Sequence, residues 1–443
     1  MFHKPKSTKT EIDSAEIAHR RYLRKLNQRF QDRVLQLIRE QELNESVASC
    51  DLRGFHFGDL LVYDQTFTKP VDLTDARFTG DARFQNVVFE RKLEFAFASF
   101  DHQLTFQGCV VEDDLGMESC AFRGPVMFAS SKFKGANFSG ARFEGTTYFT
   151  NCDFEAYVIF DRVGFGEKSK VQFSCVEGSR PSFRKEISFC DLRLSEGCTV
   201  TLEKVSLSKA RFLDTNVEVF DFRDVVWAQR PRSWRTLFLG KRCLWDEIRP
   251  LNTIPLRIGG LDYEKTAENY RQLVLNHERK RDFEAAEEFH LGEMEMLRKK
   301  RGEGAKRFGK LMKEWLNAYG LYRLLSVYGT SYWWAIGVLG LLVLLFGLVF
   351  MWSGFWVVEG DGSRRIIMYV LSCEPARWAV GSASWFRDLA EAVVFSISPL
   401  TLQRGRFYEP NGLLTRFLYS VATLFLAAQL ALVLLAIRRR FKR

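Results

Sequence analysis

Phenylalanine recurs through residues 78–165 at steps that alternate between five and six residues. Small or aliphatic residues, such as Ala76, Ala82 and Leu93, lie two positions before many of these rings. A step of five fits neither an α-helix nor an alternating strand. It does fit a coil with short flat sides, in which one residue per side points inward and stacks on its counterpart one coil later. The pattern therefore predicts a solenoid with a core built from Phe78, Phe84, Phe89, Phe95, Phe100, Phe106, Phe122, Phe128, Phe133, Phe138, Phe143, Phe149, Phe154, Phe160 and Phe165.

The same spacing extends beyond this run, from Leu52 to Phe67 on one side and, after an irregular stretch, from Leu202 to Trp227 on the other. These units resemble the pentapeptide-repeat family, which places Leu or Phe at the centre of each unit and a small residue two positions before it. The stretch "SKFKGANFSGARFEG" (131–145) is a close match. The resemblance implies a right-handed, quadrilateral β-helix over residues 49–228, with bulged corners at the six-residue steps.

The surface charge of the predicted solenoid bears on its partners. Some pentapeptide-repeat proteins mimic DNA through a strongly acidic surface, but acidic residues only modestly outnumber basic ones between Val71 and Phe165. We therefore expect no nucleic-acid mimicry and no nucleic-acid partner. Cys109, Cys120 and Cys152 fall on small inward positions, which favours core packing. The solenoid is expected to recognise a cytoplasmic protein or to act as a spacer.

Helices are predicted on both sides of the solenoid. Residues 1–48 contain an amphipathic helix with a basic face, which we expect to cap the solenoid rather than lie on a membrane. Residues 229–330 form a charged coupling region, where "NHERKRDFE" marks a break between two antiparallel helices. His290 and Glu293 are assigned to a solvated helix face, because no third ligand lies at metal-binding spacing. With no catalytic motif in view, we expect neither an enzyme nor a cofactor.

The C-terminal part, residues 331–443, is predicted to be a membrane domain. It contains two long apolar segments that are predicted to span a membrane, at about 332–357 and 416–437. Gly340, Gly347 and Gly354 recur every seven residues and predict a smooth stripe for close helix approach. The net charge of +10 is concentrated partly in basic clusters beside these spans, as at a membrane surface. No signal peptide opens the chain, and its nine cysteines contain no CxxC pair. We therefore expect a multi-pass inner-membrane protein with both termini in the cytoplasm.

Between the spans, residues 384–398 predict a helix too short to cross a bilayer and suited to a re-entrant position. The order of span, half-length helix, irregular stretch and span resembles the two-helix, potassium-channel-like pore domain, and Phe395, Ser396, Thr401 and Pro410 match that family's motif. The complete arrangement resembles bacterial pentapeptide-repeat proteins with a channel-like domain. This resemblance implies a homotetramer, since one pair of spans cannot enclose a pore.

The predicted selectivity segment departs from that family. Arg404 and Arg406 occupy the positions of the two filter glycines, or Gly405 keeps the second one after a one-residue shift. Four guanidinium groups ~5 Å from the axis would oppose a cation by roughly 13 kcal/mol at an effective dielectric constant of ~20, whereas at ~15 Å in water the sum is about 1 kcal/mol. The candidate pore residues are Ser398, Thr401, Leu402, Gln403, Arg404, Gly405 and Arg406.

Three interpretations of these arginines remain open. They form an electropositive ring that selects anions, they pair with Asp388, Glu391 or Glu409 and leave a nonselective pore, or the domain is a non-conducting anchor. The preferred hypothesis is an ion channel regulated through the cytoplasmic solenoid, with Leu413–Ile437 lining the pore and residues 399–407 setting selectivity for an ion that the sequence does not identify. The alternative is a membrane-anchored scaffold whose solenoid binds a protein partner.

Overall fold

The computed structural model describes residues 48–175, 183–231, 240–248, 262–303, 315–358, 363–369, 383–398 and 408–441, with isolated positions between 33 and 44 and at 309, 313 and 400. The chain divides into two compact units, residues 1–293 and 294–443. The predicted N-terminal helix lies mostly outside the described residues. Of its end, Gln41 and Asn44 accept hydrogen bonds through their carbonyl oxygens from the ammonium group of Lys69 in the first coils.

The first unit is a four-sided β-solenoid of about eight turns. Sides A to D follow one another around each coil, and every side is a stack of parallel strands that pair in register. Side B contains His56–Phe57, Arg77–Phe78, Ser99–Phe100, Ala121–Phe122, Arg142–Phe143, Gly164–Phe165 and Arg193–Leu194. Side C contains Leu60–Tyr63, Ala82–Gln85, Leu104–Gln107, Val126–Ala129, Thr147–Thr150, Lys170–Ser174, Thr199–Glu203 and Phe220–Arg223.

Sides A and D share one sheet of eleven strands, because two of its strands run around the corner between them. Its members are Cys50–Asp51, Thr66–Phe67, Val71–Asp72, Val88–Phe89, Leu93–Glu94, Val110–Gly116, Lys132–Asn137, Asp153–Phe154, Val158–Ile159, Ile187–Ser188 and Ala210–Arg211. A small sheet of Ser206–Leu207, Val226–Gln229 and Arg242–Cys243 ends the stack.

The inward column of each side is the repeating phenylalanine or its substitute. All fifteen predicted core phenylalanines are buried, none of them more than 4% exposed. On side B the rings of Phe78 and Phe100 stack with their centroids 4.5 Å apart. Rings of adjacent sides meet edge to face, as Phe84 does with Phe89 at 6.1 Å. The core is therefore a continuous aromatic stack, in which both ring arrangements are the favoured ones.

The five- and six-residue steps have a geometric origin in the corners. From Val111 to Met117 the chain takes six residues, whereas from Phe133 to Phe138 in the next coil it takes five. The strand pairing shows a register shift between Val111 and Asp114, which accommodates the extra residue as a β-bulge. Other corners carry residues in the left-handed region, such as Asp64, Asn86 and Gly108, residue types that tolerate a positive φ.

Helices close the C-terminal end of this unit. α1 (Trp245–Ile248) is followed by α2 (Tyr263–Arg279) and α3 (Phe283–Arg301), with a short turn at the predicted break. In α2, the side-chain amide of Asn276 donates to the carbonyl oxygen of Phe220 at 2.6 Å, and that of Asn269 donates to Phe212. These bonds satisfy backbone groups that the last coil would otherwise leave open.

Burial in α3 corrects one sequence interpretation. His290 and Glu293 were expected on a solvated face, but Glu293 is only 7% exposed and its carboxylate lies 3.0 Å from the Arg271 guanidinium of α2. The charged side chains of α3 face a neighbouring helix. A helix with many charged residues is assigned to the solvent from sequence alone, because an ion pair between two helices leaves no pattern in the spacing of residues along either one. No cluster of metal-ligating side chains occurs among the residues that the structure describes.

The second unit contains α4 (Ala318–Ser326), α5 (Tyr332–Ser353), α6 (Ala383–Ile397) and α7 (Leu413–Phe441). A three-stranded antiparallel sheet is formed by Phe355–Val358, Arg364–Ile367 and Tyr408–Pro410. α5 is shorter than the predicted span, since Gly354 ends it at a φ of +87° and the following aromatic and β-branched residues enter this sheet. α5 and α7 are both long and apolar enough to cross a membrane.

Candidate functional site

α6 packs its apolar half against α5. Its Ser396 hydroxyl donates to the carbonyl oxygen of Val343, about halfway along α5, at 3.1 Å. The ring of Phe395 packs on Phe350 at 4.8 Å and on Phe355 at 4.7 Å. Close approach depends on Gly347, where a Cβ would lie 3.3 Å from the Val393 side chain. One residue of the predicted glycine stripe thus meets a helix, while a Cβ at Gly340 would meet nothing within 4 Å.

The polar half of α6 is fixed by the three-stranded sheet. Asp388 lies 3.2 Å from the Arg365 guanidinium and accepts a hydrogen bond from the Tyr369 hydroxyl at 2.8 Å. Glu391 accepts a hydrogen bond from the Tyr408 hydroxyl at 2.6 Å. α6 is therefore held at one end by polar contacts and along the other half by aromatic packing.

These contacts bear on the expected partners of the filter arginines. Asp388 and Glu391 are engaged as described, and Glu409 pairs with Arg364 at 3.2 Å. All three carboxylates thus have partners within the sheet region. Of the candidate pore residues, Ser398 donates a hydrogen bond to the carbonyl oxygen of Phe395, and its oxygen lies 3.1 Å from the Tyr419 hydroxyl oxygen of α7. Thr401, Leu402, Gln403, Arg404, Gly405 and Arg406 lie outside the described residues.

The outer surfaces of α5 and α7 are strongly apolar. Only 28% of the most apolar window of each helix is buried within the chain, which distinguishes them from the core helices of soluble proteins. Trp333 is 70% exposed, and Leu424 is 72% exposed. Apolar area of this extent needs a lipid environment or further protein to cover it.

A buried ionic cluster lies in the second unit, between the end of α3 and α4. The Glu295 carboxylate accepts hydrogen bonds from the guanidinium groups of Arg298, at 2.7 Å, and Arg323, at 2.9 Å, and from the Tyr328 hydroxyl at 3.1 Å. Both guanidinium groups lie over the Trp315 ring. Burial raises the pKa of Glu295, but the neighbouring arginines lower it by more, so the net pKa is below the usual carboxyl value. The carboxylate stays charged and holds two cations in place.

The turn between α4 and α5 is held from several directions. Val327, Tyr328 and Gly329 adopt φ values of +51°, +58° and +74°, an unusual conformation for a β-branched and an aromatic residue. Arg439 near the end of α7 donates to the Tyr328 carbonyl oxygen at 3.3 Å. Gln429, only 1% exposed within α7, donates to the carbonyl oxygens of Leu325 and Ala335, both at 2.9 Å. The turn therefore links the Glu295 cluster to both long helices.

α4 has its polarity reversed relative to a helix of a soluble protein. Leu321 and Leu324 are 46% and 53% exposed, whereas the Arg323 side chain points inward to Glu295 and is 13% exposed. The Trp334 indole donates to the Leu324 carbonyl oxygen at 2.9 Å. A helix with leucines outside and its charge inside fits a lipid interface.

Neither the Glu295 cluster nor the three-stranded sheet was predicted from the amino-acid sequence. Arg323 is 28 residues from Glu295 in the sequence, so no local spacing of residues predicts their contact. The sheet does leave a signal, because the strands "FWVV" and "RRII" are rich in the aromatic and β-branched residues that favour strands.

Comparison with known proteins finds a family match within the solenoid. Residues 66–110, 106–153 and 128–167 each match the family model described as "Pentapeptide repeats (9 copies)". A solved structure of HetL, a pentapeptide repeat protein involved in heterocyst differentiation regulation from the cyanobacterium Nostoc sp. strain PCC 7120, aligns at 11% identity and a TM-score of 0.16. The alignment covers 41% of this chain and 88% of that chain. No curated protein sequence matches the chain.

Proposed function

The chain carries a pentapeptide-repeat β-solenoid followed by two helices long and apolar enough to cross a membrane, and from this premise we propose that it is an ion channel of the two-span, pore-loop type. The solenoid would lie in the cytoplasm and regulate conduction. The residues between α6 and α7, which include Arg404 and Arg406, would set ion selectivity.

The contact between Ser396 and Val343 carries the proposal. α6 has 15 residues and a length of ~22 Å, against ~33 Å for the 22 residues of α5. One end of α6 lies beside the sheet that follows α5, and the other end reaches the midpoint of α5. With α5 in a bilayer, α6 enters the membrane and stops halfway, as a re-entrant pore helix does. The candidate filter segment then begins at the membrane midplane, where the C-terminal end of α6 contributes a partial negative charge.

The outer face of α6 supports a closed assembly of several copies. Phe386 and Val394 are 58% and 50% exposed, and Ala390 between them is also exposed. A re-entrant segment exposes unsatisfied carbonyl groups at its end, and such backbone is tolerated at membrane depth only where protein or a water-filled cavity surrounds it. Neighbouring copies arranged around a four-fold axis would provide both.

The membrane location has support from α4 and from the basic residues around it. The exposed leucines of α4 and the exposed Trp333 fit an interface, and Arg438 and Arg439 at the end of α7 fit the cytoplasmic side. This orientation places the N-terminal solenoid and the C-terminus together in the cytoplasm of an inner membrane. The Val327–Gly329 turn would pass a movement of the Glu295 cluster on to α5 and α7.

Reversal potentials test the proposal. The purified protein, verified as folded and tetrameric, is reconstituted into a planar bilayer under a KCl gradient, and Arg404→Glu and Arg406→Glu are compared with wild type. We expect wild-type current that reverses near the chloride potential and a shift toward the potassium potential in at least one variant. Arg387→Glu is the matched control, because Arg387 is exposed at the start of α6 and lies outside the filter segment.

Two other outcomes decide between the remaining interpretations. A current that reverses between the two potentials and ignores both substitutions would indicate a nonselective pore, with the arginines paired away from the axis. No current from any variant would reject conduction and leave the membrane-anchored scaffold, in which the solenoid binds a protein partner.

A further inference from the structure

Most arginines on the solenoid already have an acidic partner. Seven of the eleven within its described residues form ion pairs, namely Arg53, Arg77, Arg83, Arg123, Arg184, Arg211 and Arg223. The other four, Arg91, Arg142, Arg162 and Arg193, form no side-chain hydrogen bond or ion pair with any described residue. Three of these four line one cavity on side B, of about 610 Å³. This arginine cradle (Arg142, Arg162 and Arg193) is therefore a local concentration of unpaired positive charge.

The floor of the cradle is Gly164. It pairs in register with Arg142 on one neighbouring strand and with Arg193 on the other. With a strand spacing of ~4.8 Å, the α-carbons of these two arginines are ~10 Å apart, and no side chain occupies the gap between them. Arg162 approaches from the adjoining corner, where its φ is +58°.

The fold itself does not require glycine at this position. A Cβ at Gly164 would meet only the Cγ of Arg142, at an ordinary 3.9 Å, and its φ is not in the left-handed region. The same register position holds Ser99 and Ala121 in other coils. Glycine weakens a strand, and inside a strand it often marks a place where a ligand approaches the backbone closely. The open floor is thus a feature that the solenoid could lose without strain.

The surroundings limit the size of the ligand. On the same side, Arg77 and Arg123 are both paired with Asp101, so the unpaired positive charge does not continue along the solenoid. A long polyanion would need such a continuous row of cations. Two carboxylates, Glu144 and Glu167, line the same cavity and also lack partners among the described residues. The cavity volume is in the range of small-molecule sites.

We propose that the arginine cradle binds a small phosphorylated molecule. The planar guanidinium groups of Arg142 and Arg193 donate paired hydrogen bonds to phosphate oxygens above Gly164, and Arg162 adds a third cation. Glu144 and Glu167 accept hydrogen bonds from hydroxyl or amino groups on the rest of the ligand. Nucleotides and sugar phosphates share this combination of a phosphate and nearby donors. The site is independent of ion conduction.

Titration calorimetry on the full-length protein in detergent tests the site with three probes: inorganic phosphate, adenosine monophosphate and glucose 6-phosphate. We expect saturable binding of at least one organic phosphate, weakened about tenfold or more by Arg142→Gln or Arg193→Gln. Gly164→Leu fills the floor and is expected to abolish binding while preserving the melting temperature. Glu144→Gln is expected to weaken the organic phosphates and to leave inorganic phosphate unchanged or tighter.

Arg91→Gln is the matched control, since Arg91 is also exposed and unpaired among the described residues but does not line the cavity. Its affinity should equal that of wild type. Absence of saturable binding to folded wild-type protein would overturn the proposal. An equal loss of affinity in Arg91→Gln and Arg142→Gln would also overturn it. An acidic peptide is titrated as a competing probe, and its binding in the absence of binding by any of the three phosphates would also overturn the proposal and indicate a protein-docking surface.

Discussion

The Ser396 hydroxyl donates a hydrogen bond to the carbonyl oxygen of Val343, from the end of a short helix to the middle of a long one. Ser396 is fully buried, and its hydroxyl oxygen lies 3.1 Å from the Val343 carbonyl oxygen and 2.8 Å from the Val393 carbonyl oxygen of its own helix, so its single hydrogen is shared between the two acceptors. Ser396→Ala should therefore lower the free energy of unfolding of the second unit by about 1 kcal/mol, the size typical of such bonds between helices in membranes. Thermal or steric-trap unfolding in bicelles measures this change.

Ser420→Ala is the control for that substitution. Ser420 is exposed on α7, and its hydroxyl donates to the Arg416 carbonyl oxygen of its own helix and to no other residue that the structure describes. It should leave stability nearly unchanged. Equal effects of the two substitutions would mean that the bond from α6 to α5 adds nothing specific.

A second prediction concerns the aromatic stack of the solenoid. Phe128 is fully buried between Phe106 and Phe149, at ring distances of 5.2 and 4.9 Å. Phe128→Ala removes a whole ring from a close-packed core and should destabilise the solenoid by roughly 3–5 kcal/mol. The control is Phe97→Ala, because Phe97 is 62% exposed at a corner. Its effect should stay within about 1 kcal/mol. Denaturant unfolding followed by circular dichroism compares the two, and a similar loss in both would contradict the assigned core.

The sequence predicted the solenoid well because its physics is local and repeated. Each coil buries one residue per side, so the spacing of Phe78, Phe84, Phe89 and Phe95 predicts a coil with short flat sides, and the resemblance to pentapeptide repeats implies that the sides are four. The resemblance also implied bulged corners at six-residue steps, and the register shift between Val111 and Asp114 lies on one of them, although its position was not predicted. The bulge at Val111 depends on the length of the neighbouring coil, which no single repeat contains.

A third prediction concerns pH and the closure of the solenoid by α2. His277 is 6% exposed, and its ring lies 5.2 Å from Phe289 and 6.3 Å from Phe222. Burial lowers the pKa of His277 below its ordinary 6.5, although Asp282 opposes this effect, whereas Lys280 and Arg242 add to it. The folded state therefore keeps the imidazole neutral, while the unfolded chain takes up a proton near the ordinary value. Stability is complete above about pH 6.5 and falls as the pH drops below it.

Melting temperatures at about pH 7.5 and pH 5.5 test this sign. Wild type should lose more stability on acidification than His277→Gln, which has no imidazole to protonate. His102→Gln is the control, since His102 is exposed on the solenoid. It should retain the full pH dependence of wild type. An unchanged pH dependence in His277→Gln would remove His277 as its source.

The candidate pore unit was predictable only in outline. The positions of α5, α6 and α7 follow from runs of apolar residues, and the sequence placed α6 to within one residue at each end. The bounds of the long helices differ from the predicted spans of 332–357 and 416–437, since α5 ends at Ser353 and α7 runs from Leu413 to Phe441. The contacts among them do not follow, because they join residues far apart in the chain, such as Gln429 and Ala335. Glu293 was predicted to be solvated and is buried for the same reason, since its partner lies on another helix.

The last prediction concerns the cluster that joins α3, α4 and the turn before α5. Glu295→Gln keeps the shape of the side chain but removes the carboxylate charge that pairs with the buried guanidinium groups of Arg298 and Arg323. We expect the free energy of unfolding of the second unit to fall by on the order of 3 kcal/mol. Because the pKa of Glu295 is lowered in the folded state, its contribution is complete above the ordinary carboxyl pKa and is lost as the pH falls through the folded value.

Glu284→Gln is the matched control, as the same substitution at an exposed position of the same helix. It should change stability by less than about 0.5 kcal/mol. A second variant, Arg323→Met combined with Glu295→Gln, should recover part of the loss, because it also removes one of the two guanidinium charges that the Glu295 carboxylate stabilises. If Glu295→Gln and Glu284→Gln unfold at the same temperature, the cluster does not hold the turn, and the proposed route from the cytoplasmic helices to α5 and α7 is wrong.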